Sequence, residues 1–169
     1  MRFRIATPSD LDRLEKFERD GRGARHRAYV EKDRDWLFVA CDGDRIVATR
    51  RVSRVIRDGI LSRVIDLGPD QVWAADVYCL PEYRSRGIGR HLVVFVDRYL
   101  GSLGYTDRFG SVDATNTASL RMSRAAGRRA VYDVSFVRIL GWERLHVSKH
   151  VPRRVWEAPP GDTGEPGAR

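Results

Sequence analysis

The chain has 169 residues, 42% of them hydrophobic and 32% charged, enough for one domain with a real core and too few for two. No apolar run approaches the ~20 residues that cross a bilayer, and the opening Met1-Arg2-Phe3-Arg4-Ile5-Ala6-Thr7 is too weakly apolar for a signal peptide, so a cytoplasmic protein is expected. The net charge of +8 suits nucleic acid, an acidic carrier protein or a polyanionic cofactor, but the basic residues are spread along the chain, and a solvated basic surface explains them as well.

Phe3 to Ala6 reads as a short strand. Thr7-Pro8-Ser9-Asp10 reads as a helix start, with Thr7 as N-cap, Pro8 at the first helical position and Asp10 in the first turn. Leu11, Leu14 and Phe17 give that helix one apolar stripe, Gly21 and Gly23 end it, and Ala24 to Lys32 suggests a second, more polar helix. Trp36 to Cys41 is an apolar run of buried-strand type. Asp42-Gly43-Asp44 turns it into Arg45 to Ile56, rich in β-branched residues. Asp58-Gly59 is a second hairpin signal leading to a strand over Ile60 to Leu67. After Gly68-Pro69-Asp70, Gln71 to Leu80 is the next strand.

The second half changes character. Ile88, Leu92, Phe95, Val96 and Tyr99 lie on one face of a helix, ended by Gly101 and Gly104. Tyr105 to Asp113 is a strand. Asn116-Thr117 opens a helix carrying Ala118, Met122, Ala125 and Ala126 on one side, with Gly127 as its C′ residue. Ala130 to Leu140 and Glu143 to His150 are the last strands, joined at Gly141-Trp142. From Pro159 the composition offers nothing to bury, so the expected organisation is one domain over 1–156 and a disordered tail over 157–169. The strand–helix–strand from Gln71 to Asp113 requires a right-handed crossover between parallel strands. The expected fold class is α/β: a single-domain mixed sheet, mostly antiparallel with a central parallel pair, and helices on both faces.

Cys41 and Cys79 sit in apolar contexts without Cys-x-x-Cys spacing, and the four histidines are scattered, so no metal site is expected. The chemistry concentrates at Arg84-x-x-Gly87-x-Gly89. Two glycines directly after a strand and before an amphipathic helix can aim backbone N–H groups at a phosphate, and Arg84, Arg86 and Arg90 add positive charge. From the glycines alone, a plain strand-to-helix turn is the better explanation of the pattern.

Leu80-Pro81-Glu82-Tyr83-Arg84-Ser85-Arg86-Gly87-Ile88-Gly89-Arg90-His91-Leu92 resembles the signature of the GNAT superfamily of acyl-CoA N-acyltransferases, Val-x-Pro-x-Tyr-Arg-x-Arg-Gly-x-Gly-x-x-Leu. A second segment of that family, Asn-x-x-Ala/Ser followed by Gly, appears as Asn116-x-x-Ser119…Gly127. The resemblance covers roughly residues 2 to 150 and implies acetyl-CoA, or another acyl-CoA, as donor. It places the CoA pyrophosphate on the backbone of Ser85, Arg86, Gly87, Ile88, Gly89 and Arg90, with Arg84 beside them. The pantetheine lies along Val77, Tyr78, Cys79 and Leu80, with Asn116 and Ser119 facing it. The N–H of Tyr78 or its neighbour is then an oxyanion donor.

The catalytic pattern departs from the family. The position of the usual Glu base holds Ala74, and that of the usual Tyr acid holds Ser123. By two-residue alternation Asp76 shares the face of Ala74 and is a candidate base, although an arginine partner would account for it too. Ser123 is a candidate hydrogen-bond donor to the CoA sulfur, with Tyr78 and Tyr83 as further candidate acids. Trp36, Trp73, Trp142, Asp66, Asp70 and Asp113 are available to an amine, and each has an ordinary packing or surface explanation. The reading is an N-acetyltransferase acting by direct attack of a primary amine, on a small molecule or a protein. The alternatives are a longer-chain N-acyltransferase fed by acyl-CoA or acyl carrier protein, and a degenerate domain binding CoA or nucleic acid as a regulator. A homodimer is compatible with this reading; nucleic acid and membrane are not expected partners.

Overall fold

The computed structural model describes residues 1–17 and 35–150, apart from the side chain of Asp76. The helix expected over Ala24 to Lys32, the stop at Gly21 and Gly23, and the tail from Pro159 lie outside the described residues.

Strands β1 (Arg2–Ile5), β2 (Asp35–Asp42), β3 (Arg45–Ser53), β4 (Gln71–Cys79) and β5 (Asp107–Phe109) form one sheet in that order. β1 to β4 are antiparallel neighbours, and β5 joins β4 in parallel. Helix α1 (Leu11–Phe17) follows β1, and α2 (Ile88–Ser102) is the crossover between β4 and β5. Helix α3 (Thr117–Ala125) follows, and β6 (Tyr132–Ile139) and β7 (Trp142–Lys149) form a separate antiparallel ribbon. The expected mixed sheet is present, with its parallel pair at one end of the five strands rather than in the middle.

β2 shows why helices cover both faces. Phe38 and Ala40 pack with Ile88, Leu92, Val96 and Leu100 of α2. Leu37, Val39 and Cys41 pack with Leu14 and Phe17 of α1. A strand apolar at every position from Trp36 to Cys41 is what a doubly covered sheet requires.

The start of α1 follows its sequence signals. Thr7 is the cap, and Asp10 accepts from the Thr7 N–H (2.9 Å) and from both terminal nitrogens of Arg4 (2.6 and 2.7 Å). The Arg4 guanidinium, supported by the Thr7 N–H and opposed by burial, holds the Asp10 carboxyl down at about 2. A depressed folded-state pKa gives stability that is present above the unfolded value near 3.8 and lost as pH falls towards 2. Two pKa units correspond to about 2–3 kcal/mol. Urea unfolding at pH 6 and pH 2.5 should show this loss in wild type, and Asp10→Asn should flatten that part of the pH dependence.

The strand expected over Ile60 to Leu67 does not form. Ser53 of β3 already pairs with Trp73 of β4, so the chain between them is a connection. Gly59 lacks the positive φ of a tight hairpin turn. Instead the Asp58 carboxylate accepts from the N–H groups of Ile60 and Leu61 (both 2.9 Å) and starts a single helical turn over Leu61–Arg63. A side chain that caps the local backbone competes with strand pairing, and here it wins.

Three further boundaries move. β5 ends at Phe109 rather than Asp113, because the chain turns at Asp113, whose carboxylate takes the Thr115 N–H and hydroxyl. The ribbon reverses at Leu140-Gly141, both at positive φ (49° and 84°), so Trp142 belongs to β7 opposite Ile139. β4 carries an extra residue: Arg51 pairs with Ala75 and Arg50 with Val77, leaving Asp76 as a β-bulge. The bulge inverts the side-chain alternation. Val72 and Ala74 face α2 before it; Cys79 faces α2 after it, while Tyr78 packs on the α1 side against Phe17 at 5.5 Å.

Candidate active site

At the end of β4, the Leu80 N–H donates to the Val47 carbonyl (2.9 Å), and Pro81–Tyr83 form one tight turn. Tyr83 donates to Asp42 (2.9 Å) and lies between the Arg45 and Arg86 guanidiniums. Donation to Asp42 raises its phenol pKa and ties the ring into the motif's packing. Arg84 folds back: its Nε donates to the Cys79 carbonyl (3.1 Å) and its guanidinium lies 5.8 Å from the Tyr78 ring.

The next residues form a concave run of donors. Ser85 and Gly87 both adopt left-handed backbone (φ 60° and 76°), and Gly87 caps α2. The first helical backbone bond at this end is His91 N–H to Gly87 carbonyl (3.0 Å). The N–H groups of residues 85–90 therefore have no acceptor among the described residues. Successive left-handed and right-handed residues at a helix start point such donors at one spot, where the helix dipole adds positive potential. The exposed side chains of Arg86 and Arg90 flank it.

The two glycines have different reasons to be there. Gly87 needs its positive φ, since a Cβ would meet only the His91 ring at 3.6 Å. Gly89 is needed for packing: a Cβ there would lie 3.2 Å from the Met122 sulfur and 3.8 Å from Val77. That contact seats α3 against the start of α2 and brings its face to the loop. Asn116 caps α3, its Oδ1 accepting from Ser119 N–H (3.0 Å), which gives this pair a structural role as well. Ser123, one turn beyond Ser119, is half-buried, and its hydroxyl has no protein hydrogen bond among the described residues.

Between these parts the sheet opens. Parallel pairing of β4 with β5 stops at Trp73–Phe109. At the next residue a Cβ on Gly110 would sit 2.5 Å from the Ala74 carbonyl oxygen, so the backbones are still in contact there. Beyond Gly110 no further β4–β5 pair forms among the described residues, while β4 continues to Cys79 paired with β3. Val77, Tyr78, Cys79 and Leu80 therefore line an open strand edge leading to the donor loop.

The candidate catalytic residues fare differently. The alternation that placed Asp76 on the face of Ala74 does not hold, because Asp76 is the bulged residue itself; its side chain lies outside the described residues. Burial pushes the Cys79 thiol up, which keeps it protonated and a poor nucleophile. Of the groups considered for an amine, Trp73 is buried, Trp36 packs on Tyr105, Asp70 accepts from Thr106 and Asp113 holds its own turn.

One group near the opening is not evident from sequence patterns. Arg50 is 5% exposed, and its Nε is enclosed without a partner. The signal for it is a charged residue at an inward alternate position of a β-branched strand.

Residues 6–127 match the Acetyltransferase (GNAT) family. The chain belongs to that family.

This GNAT protein is an acyl-CoA-dependent N-acetyltransferase with acetyl-CoA as its donor. No curated protein matches it in sequence. Solved structures share its fold at low identity. One is AAC(6')-Iy in complex with a bisubstrate analogue, CoA-S-monomethyl-acetylneamine: 21% identity over 82% of this chain and 97% of that one, TM-score 0.64. Another is the aminoglycoside acetyltransferase meta-AAC0020 from an uncultured soil metagenomic sample, in complex with sisomicin: 16% identity, 82% and 94% coverage, TM-score 0.62. A tetramutant of the BH1408 protein from Bacillus halodurans matches at 18% identity, 82% and 100% coverage, TM-score 0.62. Among the described residues no helix is long and apolar enough to cross a membrane.

Proposed function

We propose that this enzyme acetylates a primary amine on a small molecule by direct attack on acetyl-CoA, with residues 85–90 holding the pyrophosphate and residues 77–80 the pantetheine. The observation that carries this reading is the run of unpaired N–H groups at the start of α2, continuous with the open edge of β4. A CoA thioester supplies an activated acyl carbon and a good leaving group. The chain's own task is then to place an amine within a few Å of that carbon, polarise the carbonyl and accept the amine's proton. An N–H on the open edge, from Tyr78 or its neighbour, serves as oxyanion donor. Asp76 serves as base, directly or through water, from the bulge that breaks the strand beside the acyl position.

Sisomicin and acetylneamine-based ligands occupy fold neighbours, which favours a small-molecule acceptor over a protein. The +8 charge disfavours a polycation, because each added positive charge must approach a basic surface. A monoamine, or an amine that also carries an acidic group, fits better.

Thiol release from acetyl-CoA across an amine library tests this reading. Turnover should appear with at least one small amine, and Asp76→Asn should lower kcat/KM by about 10²–10⁴ on the best one. Full activity in Asp76→Asn removes Asp76 as base. Absence of turnover with every small amine, alongside turnover with peptides, would move the acceptor to protein.

A further inference from the structure

Arg50 lies between Ala48 and Val52 of β3, both in the core beneath α2, so alternation places it on that same face. It makes no hydrogen bond or ion pair among the described residues. The charged groups it faces are Arg128 and Asp97. Asp97, on α2, is already engaged: Arg128 donates to both of its oxygens (2.8 and 3.1 Å), and Arg108 of β5 lies 3.4 Å from it and donates to its backbone carbonyl. Arg128 also donates to the Arg108 carbonyl (3.1 Å). Arg50 thus faces a carboxylate that two other guanidiniums already engage. Leaving a buried cation without a counter-charge is costly, and a fold that retains one has a use for an anion there.

The sheet order shows where that anion would sit. Arg108 is on β5, and β4 lies between β5 and β3. Arg50 pairs with Val77 across β3 and β4, and cross-strand partners project from the same face, so its buried side chain lies beside Val77 beneath α2, one strand spacing of about 4.8 Å from β4. Its own backbone is level with Val77, just past the bulge, while β4–β5 pairing ends at Trp73–Phe109. Its side chain, longer than one strand spacing, therefore starts one strand away from the base of the opening between β4 and β5. On the donor-binding reading above, that is where the pantetheine ends in its sulfur.

We propose that Arg50 is a catalytic residue that receives the departing CoA sulfur, a part for which Ser123 offers only a neutral hydroxyl. The amine nitrogen bonds to the acyl carbon and the carbon–sulfur bond breaks, its electron pair remaining on sulfur. The proton lost by nitrogen goes to the base or water. Arg50 keeps its own proton and donates an N–H hydrogen bond to the thiolate. The phosphates, held at residues 85–90 at the far end of the opening, do not compete for it. Burial, reinforced by Arg128 and partly offset by Asp97, pushes the Arg50 guanidinium down to about 9, which leaves it cationic at neutral pH.

The test compares binding of CoA and desulfo-CoA, which lacks only the thiol, between pH 6.5 and 9 by calorimetry. An opposite charge lowers the pKa of a neighbouring acid by about one to three units, so wild type should favour CoA over desulfo-CoA by roughly tenfold or more as the bound thiol ionises early. Thiolate ultraviolet absorbance should appear in the complex below the pH at which free CoA ionises. In Arg50→Met and Arg50→Gln that preference should vanish while desulfo-CoA affinity stays within about twofold of wild type; reading whichever variant binds desulfo-CoA normally separates the charge effect from a folding defect. A pH-dependent preference for CoA that survives both substitutions overturns the proposal, and so does its absence in wild type. Wild type that binds neither ligand would instead overturn the donor-binding reading itself.

Discussion

Gly87→Glu should lower CoA affinity by about 100-fold or more, because it sets a carboxylate among donors arranged for a pyrophosphate. Two effects contribute, and their sizes differ. The left-handed backbone of Gly87 (φ 76°) costs a side-chain-bearing residue about 1–2 kcal/mol. Like charges about 4 Å apart at an effective dielectric of 20 repel by about 4 kcal/mol, and each 1.4 kcal/mol is tenfold in affinity. Electrostatics should therefore dominate. Gly87→Ala isolates the strain, and Ser85 shows that this loop tolerates a left-handed non-glycine residue (φ 60°). Calorimetric titration with CoA, alongside urea unfolding, distinguishes the two: the alanine variant should lose mainly stability, the glutamate variant mainly affinity. Equal CoA affinity in a folded Gly87→Glu protein would remove the loop from cofactor binding.

Phe38→Ala should destabilise the fold by about 3–5 kcal/mol, a large share of the roughly 5–15 kcal/mol that holds a domain together. Phe38 is fully buried in the middle of β2 and makes edge contacts with Phe95 (6.2 Å) and Tyr99 (5.5 Å) of α2. The cavity would open directly between the sheet and the helix whose first turn carries the donor loop. Equilibrium urea denaturation measures the loss. A change below about 1 kcal/mol would mean that neighbouring rings collapse into the space. CoA affinity of the folded fraction should remain near wild type, since the loop lies at the other end of α2.

The elements most legible in the sequence were those whose pattern is local. α2 could be read from Ile88, Leu92 and Val96, and β2 from its unbroken apolar run, because each pattern reflects its own burial. The turn with free N–H groups at residues 85–90 was legible because a strand, two glycines and a helix start stand there in immediate succession. The segment after Asp58-Gly59 misleads because Asp-Gly is equally good at starting a helical turn, and the choice depended on where β4 would pair. The bulge at Asp76 leaves no trace in composition. It exists only as a mismatch of count between β3 and β4, so any face assigned by counting along one strand fails beyond it. Arg50 was obscure for a related reason: its position matters only once β4 has been laid between it and Arg108.

That extra residue also makes substitution and deletion at position 76 different experiments. Asp76→Asn changes one functional group and leaves the rest of β4 in phase. Removing residue 76 would restore an even count against β3. Val77 would then follow Ala75 opposite Arg50, with Tyr78 still towards Phe17 and Cys79 still beneath α2, so the strand end would keep its faces and lose only the bulge. A protein library built from single-codon deletions would therefore report on the bulge itself at this position, whereas one built from point changes would report only on a carboxylate.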